Sequence, residues 1–362
     1  MRSRPPLGAA APRARRSRDA RVNLSSNELA HPALDGVLRD LVDGFDPAVL
    51  RGYPEQATAV AAAAELVGAS SPEEVVLGAG SDGILRLLQT ELRADFGGRL
   101  VLQAPNYEAW TVSRTIADWS VTAVPTPPSG MTLTGHMGPA LAGPPSLVAV
   151  SWPNGPAGYV PPLAEVEALR DLCADRGHLL VLDGCYSAFV SPESPWLLAR
   201  LAGPSCLVLL SWSKMFGLAG GRLAVATGPS TVARRLRLHR QEDHVNAFML
   251  HALRRTADHL DAYRRIWLDV AAERDRIRAL VTGRYGLPVP VSGGNFLHLP
   301  MGSATAAYEL TSALDRAGYR VRDMRDTPGL AHHVRFTVTG PGCADGFLTT
   351  LDRLLDHGVR AA

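Results

Sequence analysis

The sequence is almost without lysine: Lys214 stands alone among 37 basic residues, and the other basic residues are all arginine. It also lacks long apolar runs, and no stretch approaches the ~20 apolar residues that cross a bilayer, so no membrane association is expected. Its four cysteines, Cys173, Cys185, Cys206 and Cys343, form no close pair with metal or redox spacing. That argues against a metal site and for a reduced, cytoplasmic protein. A formal charge of +2 is too close to neutral to imply a nucleic-acid partner. One region departs from this balance. Arg2, Arg4, Arg13, Arg15, Arg16, Arg18 and Arg21 are mixed with Pro, Ala and Gly, and residues 1–22 read as a flexible basic arm. The stretch between its arginines is too short and too broken by proline to be an export signal.

What remains is ordinary globular material, 46% hydrophobic and 20% charged over 362 residues. That length suits one large domain with a smaller one. Pro32–Leu50 and Ala57–Val67 have helical spacing, separated by a turn at Arg51-Gly52-Tyr53-Pro54. Short apolar runs then alternate with helical stretches. Strands are expected at Glu74–Leu77, Leu100–Gln103, Ser120–Val124, Ser146–Ser151, His178–Leu182, Leu207–Leu210 and Leu223–Ala226. Helices are expected at Asp82–Leu92, Tyr107–Ile116 and Leu163–Asp175. Such alternation predicts an α/β fold whose mainly parallel sheet is covered on both faces. A long arginine-rich helical stretch follows from Thr231 to Leu280. The last part mixes helices with short strands near Phe296–Leu299 and Val334–Val338, an α+β pattern. The domains expected are 23–250 and 251–362, with segment 23–50 packing near the second.

The lone lysine carries the chemical argument. On a surface, lysine and arginine are nearly interchangeable, but arginine keeps its proton and cannot form an imine. A lysine amine can, once its pKa is lowered. Lys214 follows a strand in Ser211-Trp212-Ser213-Lys214-Met215-Phe216-Gly217-Leu218-Ala219-Gly220-Gly221-Arg222, where two hydroxyls and an arginine bracket the amine. That set suits a phosphate ester held beside an imine. Other clusters also fall at expected carboxyl ends of strands, where open parallel sheets place their ligands. Gly78-Ala79-Gly80-Ser81-Asp82 runs into a helix and can present N–H groups to an anion. Trp152-Pro153-Asn154-Gly155-Pro156-Ala157-Gly158 is a turn that holds Asn154, and Asp183 is followed three residues on by Tyr186. Each of these alone reads equally as a turn or a cap.

Taken in order, Gly80-Ser81-Asp82, Pro105-x-Tyr107, Asn154-x-Pro156-x-Gly158, Asp183-x-x-Tyr186, Ser211-x-Ser213-Lys214, Arg222 and Arg335 resemble the fold-type I pyridoxal-5′-phosphate (PLP) aminotransferases. The chain is most similar to the histidinol-phosphate aminotransferase group from about Asn23 to its C-terminus. The resemblance implies a seven-stranded large domain, a PLP cofactor, an amino-acid substrate and a homodimer. It implies that Lys214 carries the cofactor as a Schiff base and that Asp183 pairs with the ring nitrogen. Asn154 and Tyr186 would face the phenolic oxygen, and Tyr107 would stack on the ring as a third catalytic residue. Ser81, Asp82, Ser211, Ser213 and Arg222 would hold the phosphate, joined by Tyr53 from the neighbouring subunit. Arg335 would grip the substrate anion, with Asn27 also on the substrate side.

The pattern also departs from the family. Asp183-Gly184-Cys185-Tyr186 replaces Asp-Glu-Ala-Tyr, and Gly83 stands where Glu is usual. A second arginine often found beyond Arg335 is absent from Thr339-Gly340-Pro341-Gly342-Cys343. Trp110, Trp152 and Tyr159 are expected on the pocket rim. An ordinary or modified α-amino acid, in a specialised biosynthetic pathway, is therefore expected over histidinol phosphate. Decarboxylation, elimination or replacement, and cyclisation use the same lysine and aspartate and stay open as alternatives. A non-catalytic sensor domain is a further alternative, though residues 1–22 are too few for a DNA-binding module.

Overall fold

The computed structural model describes residues 22–110, 118–127, 131–239, 244–343 and 345–356. The basic arm, up to residue 21, and the expected helix at Tyr107–Ile116, from residue 111 on, lie outside them. In chain order the strands are β1 (Val22–Asn23), β2 (Val75–Gly78), β3 (Arg99–Ala104), β4 (Ser120–Pro125), β5 (Leu147–Ser151) and β6 (Leu179–Asp183). They continue with β7 (Cys206–Ser211), β8 (Ala224–Thr227), β9 (Phe296–Pro300), β10 (Tyr319–Arg320), β11 (Arg322–Asp323) and β12 (His333–Thr337).

The runs β5, β6 and β7 are apolar up to their last residue, and every position in them is buried. Runs of that kind belong at the centre of a parallel sheet packed on both faces. They lie there, in a seven-stranded sheet of order β2-β8-β7-β6-β5-β3-β4. Successive side chains leave opposite faces of a strand. Val148, Leu180 and Val208 accordingly join one core cluster, and Leu147, Leu179 and Leu207 the other. β4, at one edge, is largely exposed and ends at Pro125, whose missing N–H an edge tolerates. The expected fold class holds, with one exception to parallel order. β8 runs antiparallel to both β2 and β7, so its first residue lies at the edge where its neighbours end.

A separate three-stranded antiparallel sheet has the order β11-β12-β9. β1 pairs in parallel with β10, Val22 opposite Tyr319. Two long helical readings are broken by local chemistry. The helix expected over Pro32–Leu50 is Leu34–Asp43, ended at Gly44, followed by a separate 3-10 turn Pro47–Arg51 that Asp46 caps. The stretch Thr231–Leu280 holds Ser230–His239, Ala247–Arg254 and Leu260–Tyr285, and Asn246 caps the second through Met249 N–H at 3.0 Å.

Candidate active site

The carboxyl edge of the large sheet gathers the site. β7 ends at Ser211, whose Oγ accepts from Ser213 N–H at 3.2 Å and starts the short helix Trp212–Met215. This cap throws Lys214 out beyond the strand end, and its Nζ donates to Ser26 O at 2.5 Å. Ser213 is buried, and its Oγ has no partner among the described residues. An unpaired buried hydroxyl of this kind needs an external acceptor or donor.

Beside it, β2 turns through Gly78 and Ala79 into the helix Gly80–Glu91, whose start has no side-chain cap. Its first N–H groups therefore face an anion site. Gly80 has φ +71°, a conformation that favours glycine, and a Cβ there would lie 2.5 Å from the Arg222 guanidinium, which would have to shift. The reversal of β8 supplies the arginine. Arg222 precedes Ala224 and so falls at the same edge as the ends of β2 and β7. Its Nη2 donates to Asp82 Oδ2 at 2.8 Å, and Asp82 Oδ1 accepts from Tyr107 OH at 2.8 Å. Burial, then the Asp82 carboxylate, pushes the Tyr107 phenol well above its ordinary range. Ser81, in the first turn of that helix, is half-buried.

Asp183 ends β6 and is buried, with Oδ1 accepting from Cys185 N–H at 3.0 Å. Burial raises its pKa, and the Cys185 hydrogen bonds only partly offset that. A desolvated carboxylate at this point is stabilised by an apposed cation. The Tyr186 OH accepts from Asn27 Nδ2 at 3.0 Å, and its ring packs edge-on against Phe296. Asn154 is held on every side by the chain. Its Nδ2 donates to Pro105 O at 2.7 Å and to Gln103 Oε1 at 3.2 Å, while Oδ1 accepts from Ala157 N–H at 2.9 Å.

The small sheet and the N-terminal segment close the site from the other side. Arg335, on β12, donates from Nη2 to Ser25 O at 2.9 Å and lies 5.3 Å from the Phe296 ring centre. Its Nε is buried without a partner among the described residues. Burial lowers the guanidinium pKa to about 10, which leaves it charged at neutral pH. Asn27 takes a left-handed conformation, φ 54°, with its N–H bound to Thr337 Oγ1 at 2.9 Å. Ser25 and Ser26 thus offer consecutive carbonyls to Arg335 and Lys214.

Three expectations change here. Trp110 and Trp152 are core residues, 1% and 5% exposed, and Trp152 Nε1 donates to Pro161 O at 2.8 Å. Large indoles beside these strands gain more from burial than from lining a wet rim, and of the three aromatics Tyr159 alone is partly exposed. A second arginine is also present, though not after Arg335. Arg322 on β11 stands directly opposite Arg335, with Nη2 3.4 Å from Glu108 Oε2. The only sequence sign of it is Val321-Arg322-Asp323, a strand too short to show any alternation. Tyr53 is 91% exposed, on the loop after the 3-10 turn.

An amine at a strand end, an arginine-backed helix start, an unpaired hydroxyl and a desolvated carboxylate define the site of a Schiff-base enzyme with a phosphorylated, basic-ring cofactor. The chain belongs to the aminotransferase class I and II family, whose model matches residues 20–346. That family works with PLP, and the unpaired Ser213 hydroxyl, the arginine-backed helix start and the desolvated Asp183 carboxylate fit such a group. The expected cofactor and transferase class therefore hold. The chain is 30% identical over 332 residues to an aromatic amino acid aminotransferase of Thermobifida fusca, covering 91% of this chain and 89% of that one. It is 29% identical to a histidinol-phosphate aminotransferase of Xanthomonas campestris pv. campestris, covering 85% and 86%. The fold matches that of the Sinorhizobium meliloti histidinol-phosphate aminotransferase in complex with PLP, with TM-score 0.78, 21% identity and coverage of 93% and 90%.

Proposed function

We propose that the protein transfers the amino group of an α-amino acid with a flat or apolar side chain, and that Lys214 is both the attachment point of PLP and the base. The observation that carries this is the placement of Lys214 at the end of β7, between the Gly80–Arg222 cradle and the buried Asp183. Bound PLP supplies an electron sink for the pair left when a bond at the substrate Cα breaks. Asp183 would keep the ring nitrogen protonated. The Lys214 amine would move the proton at Cα. The phosphate would be held by Ser211, Ser213, Arg222 and the N–H groups of Ser81 and Asp82. Tyr107 would cover the ring. Tyr186 and Asn154 would hold the phenolic oxygen.

Arg335 takes the substrate carboxylate, and Asn27 shapes that side of the pocket. The Arg322–Glu108 pair beside it leaves these three side chains with one net positive charge, which suits a single carboxylate. The relatives named for aromatic amino acids support a flat side chain. A second reading, histidinol phosphate, is favoured by Arg322 itself, since a phosphate could draw it away from Glu108. Steady-state turnover of phenylalanine, tyrosine and histidinol phosphate separates the two. Preference for the phosphate, with its selectivity lost in Arg322→Ala, would overturn the first. Formation of the pyridoxamine form during half-reactions separates transamination from decarboxylation, elimination and cyclisation.

The homodimer and the role of Tyr53 at the partner's phosphate belong to the same proposal. Tyr53, Leu50, Val49 and Val42 are all exposed and close in sequence, as a surface awaiting a second copy would be. The domain limits at 23–250 and 251–362 are supported by the separate sheet β11-β12-β9. Packing of segment 23–50 on the second unit is supported by the β1–β10 pairing and by Thr337 N–H donating to Leu24 O at 2.7 Å. A cytoplasmic location is supported by the four free cysteines.

A further inference from the structure

We propose that His298 is a positioning residue, the tie that fixes the Arg335 strand to the Asn154 loop and so sets the distance between substrate anchor and cofactor. His298 lies directly opposite Arg335 across the β9–β12 ladder, so the two side chains stand on one face of the small sheet. It is 1% exposed, and its Nε2 lies 2.6 Å from Pro156 O, inside the Asn154–Gly158 turn of the large sheet's edge. A carbonyl can only accept, so Nε2 carries the proton and Nδ1 is bare. Nδ1 is buried without a partner among the described residues. A charged imidazole would compete with Arg335 for the same anion. Burial, Arg335 and His333 together keep His298 neutral, with a pKa of about 3.

The contacts continue on both sides. Phe296, two residues before His298 and on the same face, packs edge-on against both its ring and Tyr186, at 5.7 and 5.5 Å, and lies under Arg335. Pro156 belongs to the turn that Asn154 closes through Ala157 and Gly158 N–H. Gly158, with φ +80°, passes so near Ser292 that a Cβ would lie 2.6 Å from its Oγ. The loop is therefore pressed against the segment leading into β9, where Gly293 N–H donates to Gly158 O at 2.8 Å, and His298 adds the side-chain bond in that contact. Movement of the turn moves His298, and with it the strand partner that carries Arg335.

This inference rests on the carboxylate role proposed for Arg335, and the test keeps the two separable. His298→Leu removes the donor, whereas His298→Gln keeps an N–H near the position of Nε2. Each PLP-loaded variant is titrated with 3-phenylpropionate, a carboxylate without an amino group, followed by cofactor absorbance. Amide hydrogen exchange over residues 154–159 is measured alongside thermal midpoints. We expect His298→Leu to weaken carboxylate binding by about tenfold, the equivalent of one hydrogen bond, and to speed exchange in the turn. His298→Gln should restore both to within about threefold. Equal carboxylate affinity in wild type and His298→Leu overturns the proposal, and so does equal impairment of the two variants, which would make His298 mere packing. Carboxylate binding unaffected by Arg335→Ala would instead overturn the substrate reading.

Discussion

The large sheet's edge and the small sheet's face build one site by opposite means. At the edge, Asp183 and Ser211 are the last residues of buried strands and the Gly80 turn follows the end of a third, so strand ends hold them in place. On the small sheet, Arg335, Arg322 and His298 come from three strands of two to five residues, held by cross-strand register and by the segment Leu24–Asn27. The two sides also resist ionisation in opposite senses. Burial keeps the Asp183 carboxyl toward its neutral acid, while it holds His298 and His333 as neutral bases, with pKa values of about 3 and about 4. On the proposed function, chemistry falls to the strand ends of the large sheet and recognition to the side built from short strands.

The strongest way to break this contrast is at Lys214. Lys214→Arg keeps the charge but cannot attach the cofactor, and turnover should fall by ~10²–10⁴-fold or more once the base is lost. Borohydride reduction of wild type should label one peptide. Label elsewhere, or an active arginine variant, would remove the large sheet's claim to the chemistry. Next in size is Arg335→Ala, which should lower kcat/KM for the preferred amino acid by ~10²-fold, about 3 kcal/mol of charge-assisted binding. The loss should fall mainly on KM if the small sheet governs recognition.

The opposed ionisations make a third, smaller test. Asp183 has a raised pKa in the fold, so its contribution to stability is present below the ordinary carboxylate pKa and lost as pH rises through the raised value. Cofactor-free protein should therefore lose stability relative to Asp183→Asn as pH rises from below the ordinary carboxylate range, and PLP should suppress that loss. For His298 and His333 the sign reverses. Their pKa values are depressed from 6.5, so stability present above that pH is lost as pH falls toward about 4 and then about 3. Thermal midpoints across this range check both, and coincident behaviour in Asp183→Asn and wild type would contradict the first. The smallest effect is that of Tyr53→Phe. PLP affinity should drop by the ~0.5–1.5 kcal/mol of one hydrogen bond, and a fully active monomer in sedimentation would show that the loop serves no partner.

The same contrast decides what could be read from sequence. The Lys214 segment was legible because its parts lie within twelve contiguous residues and because lysine is otherwise missing. Asp183 and Ser211 were legible because each is the polar end of an apolar run. Arg322 was not, because its partner Arg335 is found only through a register that no local pattern encodes. β1 and β10, of two residues each, carry no periodicity at all. The tryptophans misled for a related reason. Trp152 follows Ser151 at the edge, but its ring turns back into the core, and chain position near a site does not fix side-chain direction. The helix read across Pro32–Leu50 failed where Gly44 and Asp46-Pro47 outweighed apolar spacing.

The reversed strand β8 has a consequence for the order of assembly. β2 reaches the sheet only by pairing with β8, so Gly80 and Arg222, 142 positions apart in the chain, meet only after that outer pair has docked. Pairings between such distant segments form late, because the closure entropy of the intervening chain must be overcome first. By that measure the Gly80–Arg222 cradle is expected among the last parts of the sheet to become complete. Capture of the cofactor there would then be a checkpoint on folding itself: a chain that holds PLP would be one in which β2 has already been laid down.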